Sequence, residues 1–439
     1  MDERTERYAQ TLAAMIRRET ISSPGAESDP KFGEFRDLLG ELFPHIFGAC
    51  EVRRFPNGIT LHWKGADAAK QPVLFMNHHD VVEASAGWTH PPFSGEIADG
   101  RLWGRGTLDD KSGLWAMLQA ADELAAEGFV PKRDIWFSSS STEETNGTGA
   151  EEIAGWFREN GVRFEMSFDE GGMIMREPIG GAKGTFAMVG LGEKGTADLK
   201  FIARSNGGHA STPGKDTPLV RLGKFMAAVE RSHIFTVELS PTVCEMFRRL
   251  APTMSGAAGK LLAQPEKFAP LLRRVVPELS PTAAALVKTT VAFTMAQGSA
   301  GRNVLPREAW VVGNMRFSHH QGQQASFRAI EKLAKKYDVG MEVLDPGFPS
   351  RLTDHNGTAF RLTEQAVQAV FPGVRTAPYV MTGASDSRFF DPVCDQCIRF
   401  LPILIDDRQM ASVHGVDENV DLAALAPAVD WYRYLMREV

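Results

Sequence analysis

Five short stretches of this chain carry histidine and carboxylate side chains in the combination that a two-metal hydrolytic site requires. They are His78-x-Asp80 in VLFMNHHDVV, Asp109 in GRGTLDDKSG, the pair Glu143-Glu144 in SSSSTEETNGTG, Asp169 in MSFDEGG and His414 in SVHGVDEN. Such a site needs one carboxylate to bridge the ions, further ligands for each ion and one spare general base. This inventory supplies them. A lone His-x-Asp or Glu-Glu pair is more often a solvated surface feature, so the argument rests on the combination. Asp80 lies two residues past His78 and shares a face with it if the stretch is a strand. There its carboxylate accepts the far imidazole proton and orients the ligand.

The elements that must position these residues follow from the apolar spacing. Residues 72–76 read as a short buried strand ending at the His78 motif, and 134–137 as another ending just before the glutamate pair, with an amphipathic helix over 112–127 between them. Loops beyond the carboxyl ends of strands in an open α/β sheet converge on one crevice, which is where these motifs fall. Near Gly190 the pattern changes. A long exposed strand over 195–203 is followed by a helix over 219–232, strands over 291–295 and 309–317, a helix over 324–337 and a strand over 340–344. This order predicts a small α+β domain inserted into the first. The predicted organisation is a catalytic domain in two parts, 1–191 and 347–439, around an insert at 192–346 with a helical excursion near 235–289. The exposed strand at 195–203 offers an edge for pairing with a second copy.

A chain of 439 residues exceeds what one compact core accommodates. The net charge of -7 is mild and the 48 Lys and Arg residues are dispersed, which argues against nucleic acid or an anionic membrane as partner and for a small molecule. The N-terminus is charged from its second residue and lacks the pattern of a signal peptide, and no run of about 18 apolar residues follows, so a cytoplasmic location is expected. The cysteines Cys50, Cys244, Cys394 and Cys397 are too few for a disulfide framework, and Cys394-x-x-Cys397 is read as structural.

The wording of NHHDVV, GWTHPPFSGEIADGRLWGRGTLDDKSG, TEETNGTG, FDEGG, GGHASTP, NVLP, NMRFS and HGVDE resembles the zinc-dependent peptidase family of succinyl-diaminopimelate desuccinylase, acetylornithine deacetylase, aminoacylase, glutamate carboxypeptidase and carboxypeptidase S. The stretch VGLGEKGTADLKFIARSNGGHASTP is most similar to the carboxypeptidase S and N-acyl-amino-acid hydrolase branch. The resemblance covers nearly the whole chain. It departs at Thr142, where an aspartate usually precedes the glutamate pair, and at Ser112, where a glycine usually follows the DDK run.

The resemblance implies an α/β, mixed-sheet, dizinc exopeptidase-like catalytic domain with an inserted ferredoxin-like lid that dimerises. It makes Asp109 the bridge between two divalent ions, most simply zinc, with cobalt or manganese as alternatives. Glu144 and His414 then complete one ion's shell and His78 and Asp169 the other's. Glu143 is the general base acting on a metal-bridging water. His209 stabilises the oxyanion, often from the partner subunit, Arg316 clamps a substrate carboxylate, and Asn303 and the backbone at Gly383 support it. The implied reaction is hydrolysis of the amide of a peptide or N-acyl amino acid with a free carboxylate. Hydrolysis of another C–N bond, such as an N-carbamoyl amide, and a non-catalytic metal-binding scaffold are the alternatives. His79, His319 and His320 are read as structural or exposed, Trp88 and Trp103 as packing residues. Asp110 and Lys111 either tune the bridge or form purely local salt bridges.

Overall fold

A computed structural model describes residues 2–26 and 28–439. Its main sheet has eight strands in the spatial order Glu51–Phe55, Gly58–Trp63, Ile135–Ser140, Val73–Met76, Phe164–Arg176, Cys394–Ile405, Thr185–Glu193 and Arg375–Met381. The four central strands run parallel. Val73–Met76 and Ile135–Ser140 are buried along their whole length, as continuous apolar or small-residue runs in the middle of a covered parallel sheet must be. Helices Glu3–Ile16, Lys111–Ala126 and Leu422–Glu438 pack on one face around Tyr8, Trp115, Phe75 and Trp431. The other face is covered by Gly149–Glu159 through Phe157 and Trp136.

Residues beyond Glu193 form a separate four-stranded antiparallel sheet, in the order Thr290–Gln297, Glu308–Phe317, Gly195–Arg204 and Gly340–Asp345. Helices Pro218–Arg231 and Gly322–Lys335 cover it, and Phe201, Leu222, Phe225, Phe317 and Ile330 form its own core. The expected strand, helix, two strands, helix, strand order is present. The placement of its first strand is not as expected. Gly195–Arg204 is central and mostly buried, and it pairs on both sides, so it offers no free edge. The edges are Thr290–Gln297 and Gly340–Asp345, where Met295, Val343 and Leu344 are exposed.

The intervening helices Pro241–Leu250, Gly256–Leu262, Ala269–Leu279 and Pro281–Val287 do not extend this sheet. Val243, Phe247, Leu250 and Val276 pack on Phe186, Met188, Ala377 and Val380 at the end of the main sheet. Cys394 and Cys397 are free and buried in the main sheet. No helix of the described residues is long and apolar enough to cross a membrane.

Candidate metal centre

Two loops at the carboxyl ends of parallel strands meet at one point, and a neighbouring strand carries a further carboxylate. Val73–Met76 leads into His78 and Asp80, Ile135–Ser140 into Glu143 and Glu144, and the irregular strand Phe164–Arg176 carries Asp169. Asp109 arrives from the turn before helix Lys111–Ala126, and His414 from the segment before strand Asn419–Asp421. His78, Asp109 and Glu144 present ligand atoms within 4.8 Å of one another. His78 Nε2 lies 3.0 Å from Asp109 Oδ1, and His414 Nε2 lies 3.0 Å from both Asp109 Oδ2 and Glu144 Oε2. Asp169 is not among the residues that meet here; it is buried where its charge is felt by Asp110, its Oδ2 accepting a 2.8 Å hydrogen bond from the Ser387 amide.

His78 and Asp80 lie past the end of their strand, so the same-face geometry expected from spacing does not hold. His78 Nδ1 approaches the Asp80 carbonyl at 3.0 Å and its carboxylate Oδ1 at 3.4 Å. The Asp80 carboxylate thus reaches the far nitrogen of His78, and it also accepts from the amides of Glu143 (3.2 Å) and Glu144 (3.1 Å). It therefore fixes the glutamate pair relative to His78. Thr142 accepts a 2.9 Å hydrogen bond from Gly149 N through its hydroxyl and pins the turn that carries the pair.

Glu418 performs the matching task on the other side. Its Oε1 accepts from the amides of Gly106 (3.1 Å), Leu108 (2.7 Å) and Asp109 (3.2 Å), while Oε2 pairs with Arg105 at 2.6 Å. Arg105 also donates to the Gly415 carbonyl at 2.6 Å, so the turns bearing Asp109 and His414 are tied together. Lys111 forms no local pair with Asp110. It donates to the carbonyls of Met15 (3.1 Å) and Arg18 (2.6 Å), and burial lowers its ammonium to about 7.

The electrostatics call for cations. Burial raises Glu143 well above the carboxylate range, and raises Asp169 to about 7 with the nearby charge of Asp386 adding to it. Burial, with the charges of Asp109 and Asp110, raises Glu170 well above the carboxylate range. Hydrogen bonds to Asp109 and Glu144 raise His414 to about 10. Glu144 Oε1 and both oxygens of Asp110 are buried without a hydrogen-bond partner. So many converging carboxylates in a low-dielectric pocket are tolerable with divalent cations among them, and mixed imidazole and carboxylate donors suit zinc. The donor set fits the group.

Not every candidate gathers here. His209, in Gly208–His209, pairs with Val304–Leu305 and is exposed; its Nδ1 accepts from Ser211 N at 3.1 Å. It forms no hydrogen bond or ion pair with the cluster among the described residues. Asn303 sits beside it, its carbonyl accepting from Ala210 N at 2.9 Å. Arg316, on Glu308–Phe317, is closer in, since its guanidinium is lowered by burial and then by the charge of Arg388, and it feels Glu143. Arg388 escaped the sequence reading. It is buried over Phe348 and Phe389 with one nitrogen 2.7 Å from Asn146 Oδ1. The NH1 nitrogens of Arg316 and Arg388 are both buried without partners. Gly383 lies exposed in the same loop, with open space where a Cβ would stand. The other reading missed was Asp386, raised to about 6 by burial and hydrogen-bonded by Ser140. Its signal was present, three residues from Gly383.

His79 is structural, stacked on Phe35 at 5.4 Å and hydrogen-bonded to Ser139. Burial keeps it neutral. His319 is also tied down, to the Ser350 carbonyl at 2.9 Å.

The chain is 32% identical over 426 residues to human N-fatty-acyl-amino acid synthase/hydrolase PM20D1, covering 94% of this chain and 84% of the relative. It is 26% identical to carboxypeptidase S of Saccharomyces cerevisiae, covering 97% and 83%. Its fold matches the metallo-carboxypeptidase Sso-CP2 of Sulfolobus solfataricus with a TM-score of 0.73 at 17% identity, covering 99% of both chains. The model of peptidase family M20/M25/M40 matches residues 74–438, a span that takes in every residue of the cluster from His78 to His414. A mixed sheet that delivers histidines and carboxylates to one buried point is thus what this family's sequence pattern encodes here, and the chain belongs to peptidase family M20/M25/M40 as a metal-dependent peptidase or amidohydrolase.

Proposed function

We propose that the protein hydrolyses the amide bond of a peptide or N-acyl amino acid that carries a free carboxylate. Asp109 would lie between two divalent cations, zinc by donor chemistry with cobalt or manganese as substitutes, Glu144 and His414 holding one and His78 and Asp169 the other. When bound, the ions polarise the scissile carbonyl and lower the pKa of a water held between them. Glu143, next to the ligand Glu144 in the pair that Asp80 holds, is the carboxylate proposed as general base. Ionised beside the bound cations, it would accept a proton from the attacking water and pass it to the leaving amine.

His209 Nδ1 accepts from Ser211 N, which leaves Nε2 to carry the proton and donate it to a developing oxyanion. Because it is remote from the cluster in one chain, it acts either after closure of the insert or from a second copy. A homodimer through the insert is the arrangement proposed, with Thr290–Gln297 or Gly340–Asp345 as the pairing edge.

The observation that carries the substrate class is the pair of buried, partnerless NH1 nitrogens on Arg316 and Arg388. Two adjacent guanidinium groups repel unless an anion lies between them, and a carboxylate matches their paired donors. The backbone at Gly383, and Asn303 arriving with His209, would complete the contacts. An N-acyl amino acid and a peptide C-terminus both present that carboxylate beside the amide, which agrees with the names of the human and yeast relatives.

A panel of N-acyl amino acids, dipeptides and N-carbamoyl amino acids, read by amine release with zinc, cobalt or manganese added, tests the reading. Turnover of the first two classes is expected. Exclusive turnover of N-carbamoyl substrates, or none by the metal-loaded protein, overturns it.

A further inference from the structure

Glu193 is the last residue of strand Thr185–Glu193, immediately before the chain enters the inserted sheet at Gly195. The returning chain crosses the same point. Ser350 Oγ accepts from Glu193 N at 2.7 Å and donates to Glu193 O at 2.9 Å, so both connections are fastened at one residue. Its carboxylate is fully buried and pairs with Arg399, 3.0 Å from Nε and 2.8 Å from NH2. The other oxygen accepts a 2.6 Å hydrogen bond from the Ser385 amide.

Both partners lead to the metal centre. Arg399 is the register partner of Asp169 on the neighbouring parallel strand. Ser385 lies in the segment 382–388, a loop that runs into the short helix Ser387–Phe390, and this segment makes three further attachments to the site. Asp386 accepts from Ser140, the Ser387 amide donates to Asp169 at 2.8 Å, and Arg388 donates to Asn146 beside the glutamate pair. A buried ion pair gains little net stability over well-packed apolar residues, so charge pairing alone is a weak reason for placing one at this junction. The use it makes of its spare oxygen is the better reason.

We propose that Glu193 is a positioning residue for the metal centre: from the junction of sheet and insert it fixes the segment 382–388, whose Ser387 amide orients Asp169 and whose Arg388 faces the substrate. The insert's attachment and the Asp169 side of the centre thus share one carboxylate. The inference rests on Asp169 being a metal ligand, as proposed above. Groups that orient ligands in this way typically contribute roughly 10–100-fold to metal affinity.

The test compares two double variants that both remove the buried charge pair. E193M/R399M loses the acceptor for the Ser385 amide, whereas E193Q/R399M keeps one. Zinc affinity by chelator competition and hydrogen exchange at the Ser385 and Ser387 amides are measured in folded protein. E193M/R399M is expected to bind its weaker ion roughly 10–100-fold less tightly and to exchange faster at both amides, with E193Q/R399M restoring most of each loss. Wild-type affinity and protection in folded E193M/R399M would overturn the proposal, as would equal loss in both variants. Should E193M/R399M fail to fold, Glu193→Asp takes its place. It keeps the charges but shortens the reach by one methylene, and wild-type zinc affinity in that variant overturns the proposal equally. Asp169→Asn alone separates the two readings. If it retains both ions, the ligand assignment fails whatever Glu193 does.

Discussion

His414 and Asp109, from opposite halves of the chain, place Nε2 and Oδ2 3.0 Å apart, while His78 takes the other oxygen of the same carboxylate at the same distance. Asp109 is thereby gripped from two sides. A carboxylate so placed would offer one oxygen to each of two ions.

Glu143→Gln should retain metal and substrate affinity while turnover falls by roughly 10²–10⁴-fold, the usual cost of a lost general base. Metal content by elemental analysis and kcat by amine release check this together. Loss of metal with normal turnover per occupied site would exchange the roles of Glu143 and Glu144.

Arg316→Ala and Arg388→Ala should each reduce kcat/KM for acids far more than for the matching amides or esters. A truncated partner of a charge-assisted pair typically costs about 2–5 kcal/mol, whereas a neutral substrate has no such pair to lose. Equal losses for both substrate types would make these residues structural.

His209→Ala should bind metal normally and turn over about 10²–10³-fold more slowly, as loss of an oxyanion donor does. Mixed with Glu143→Gln chains, it should recover partial activity, because one site of a mixed dimer then holds both wild-type groups. Mass measurement establishes that mixed dimers have formed. No recovery after that would leave closure within one chain as the route for His209.

His319 gives a pH signature. Burial lowers its imidazole from 6.5 to about 4. The unfolded chain therefore binds more protons between those values, and stability falls as pH drops through that window. In metal-free protein, the wild type should lose more stability from pH 6.5 to 4 than His319→Gln, by as much as about 3 kcal/mol. Parallel urea-midpoint profiles for the two proteins would contradict the assignment.

Much of this is legible in the sequence because the strands leading to His78 and to the glutamate pair begin as apolar runs that stop just before the motifs, whereas Asp169 lies inside Phe164–Arg176, a mixed stretch whose spacing gives no such signal. Helix 112–127 and the order of elements in the insert were read from spacing alone. The position of Gly195–Arg204 was not, since alternating burial describes the faces of a strand and says nothing of its neighbours in the sheet. Strand geometry pairs Asp80 with His78, and the contact is present, yet the chain leaves the strand at Met76 and the same carboxylate also holds the amides of the glutamate pair, which spacing does not reveal. Glu193, Arg388 and Arg399 are single charged residues in otherwise ordinary stretches. Their meaning comes from being buried together by segments distant in sequence. Glu418 was readable, four residues past His414 in HGVDE, yet its hold on the Asp109 turn needed the fold.

The central claim is that these residues bind two metal ions that catalysis requires. The most direct measurement is elemental analysis of chelator-stripped protein after reconstitution, with amine-release activity followed in parallel. The account predicts two divalent ions per chain, and activity that disappears on stripping and returns with the second equivalent of zinc. Full activity in the stripped, metal-free protein would contradict it.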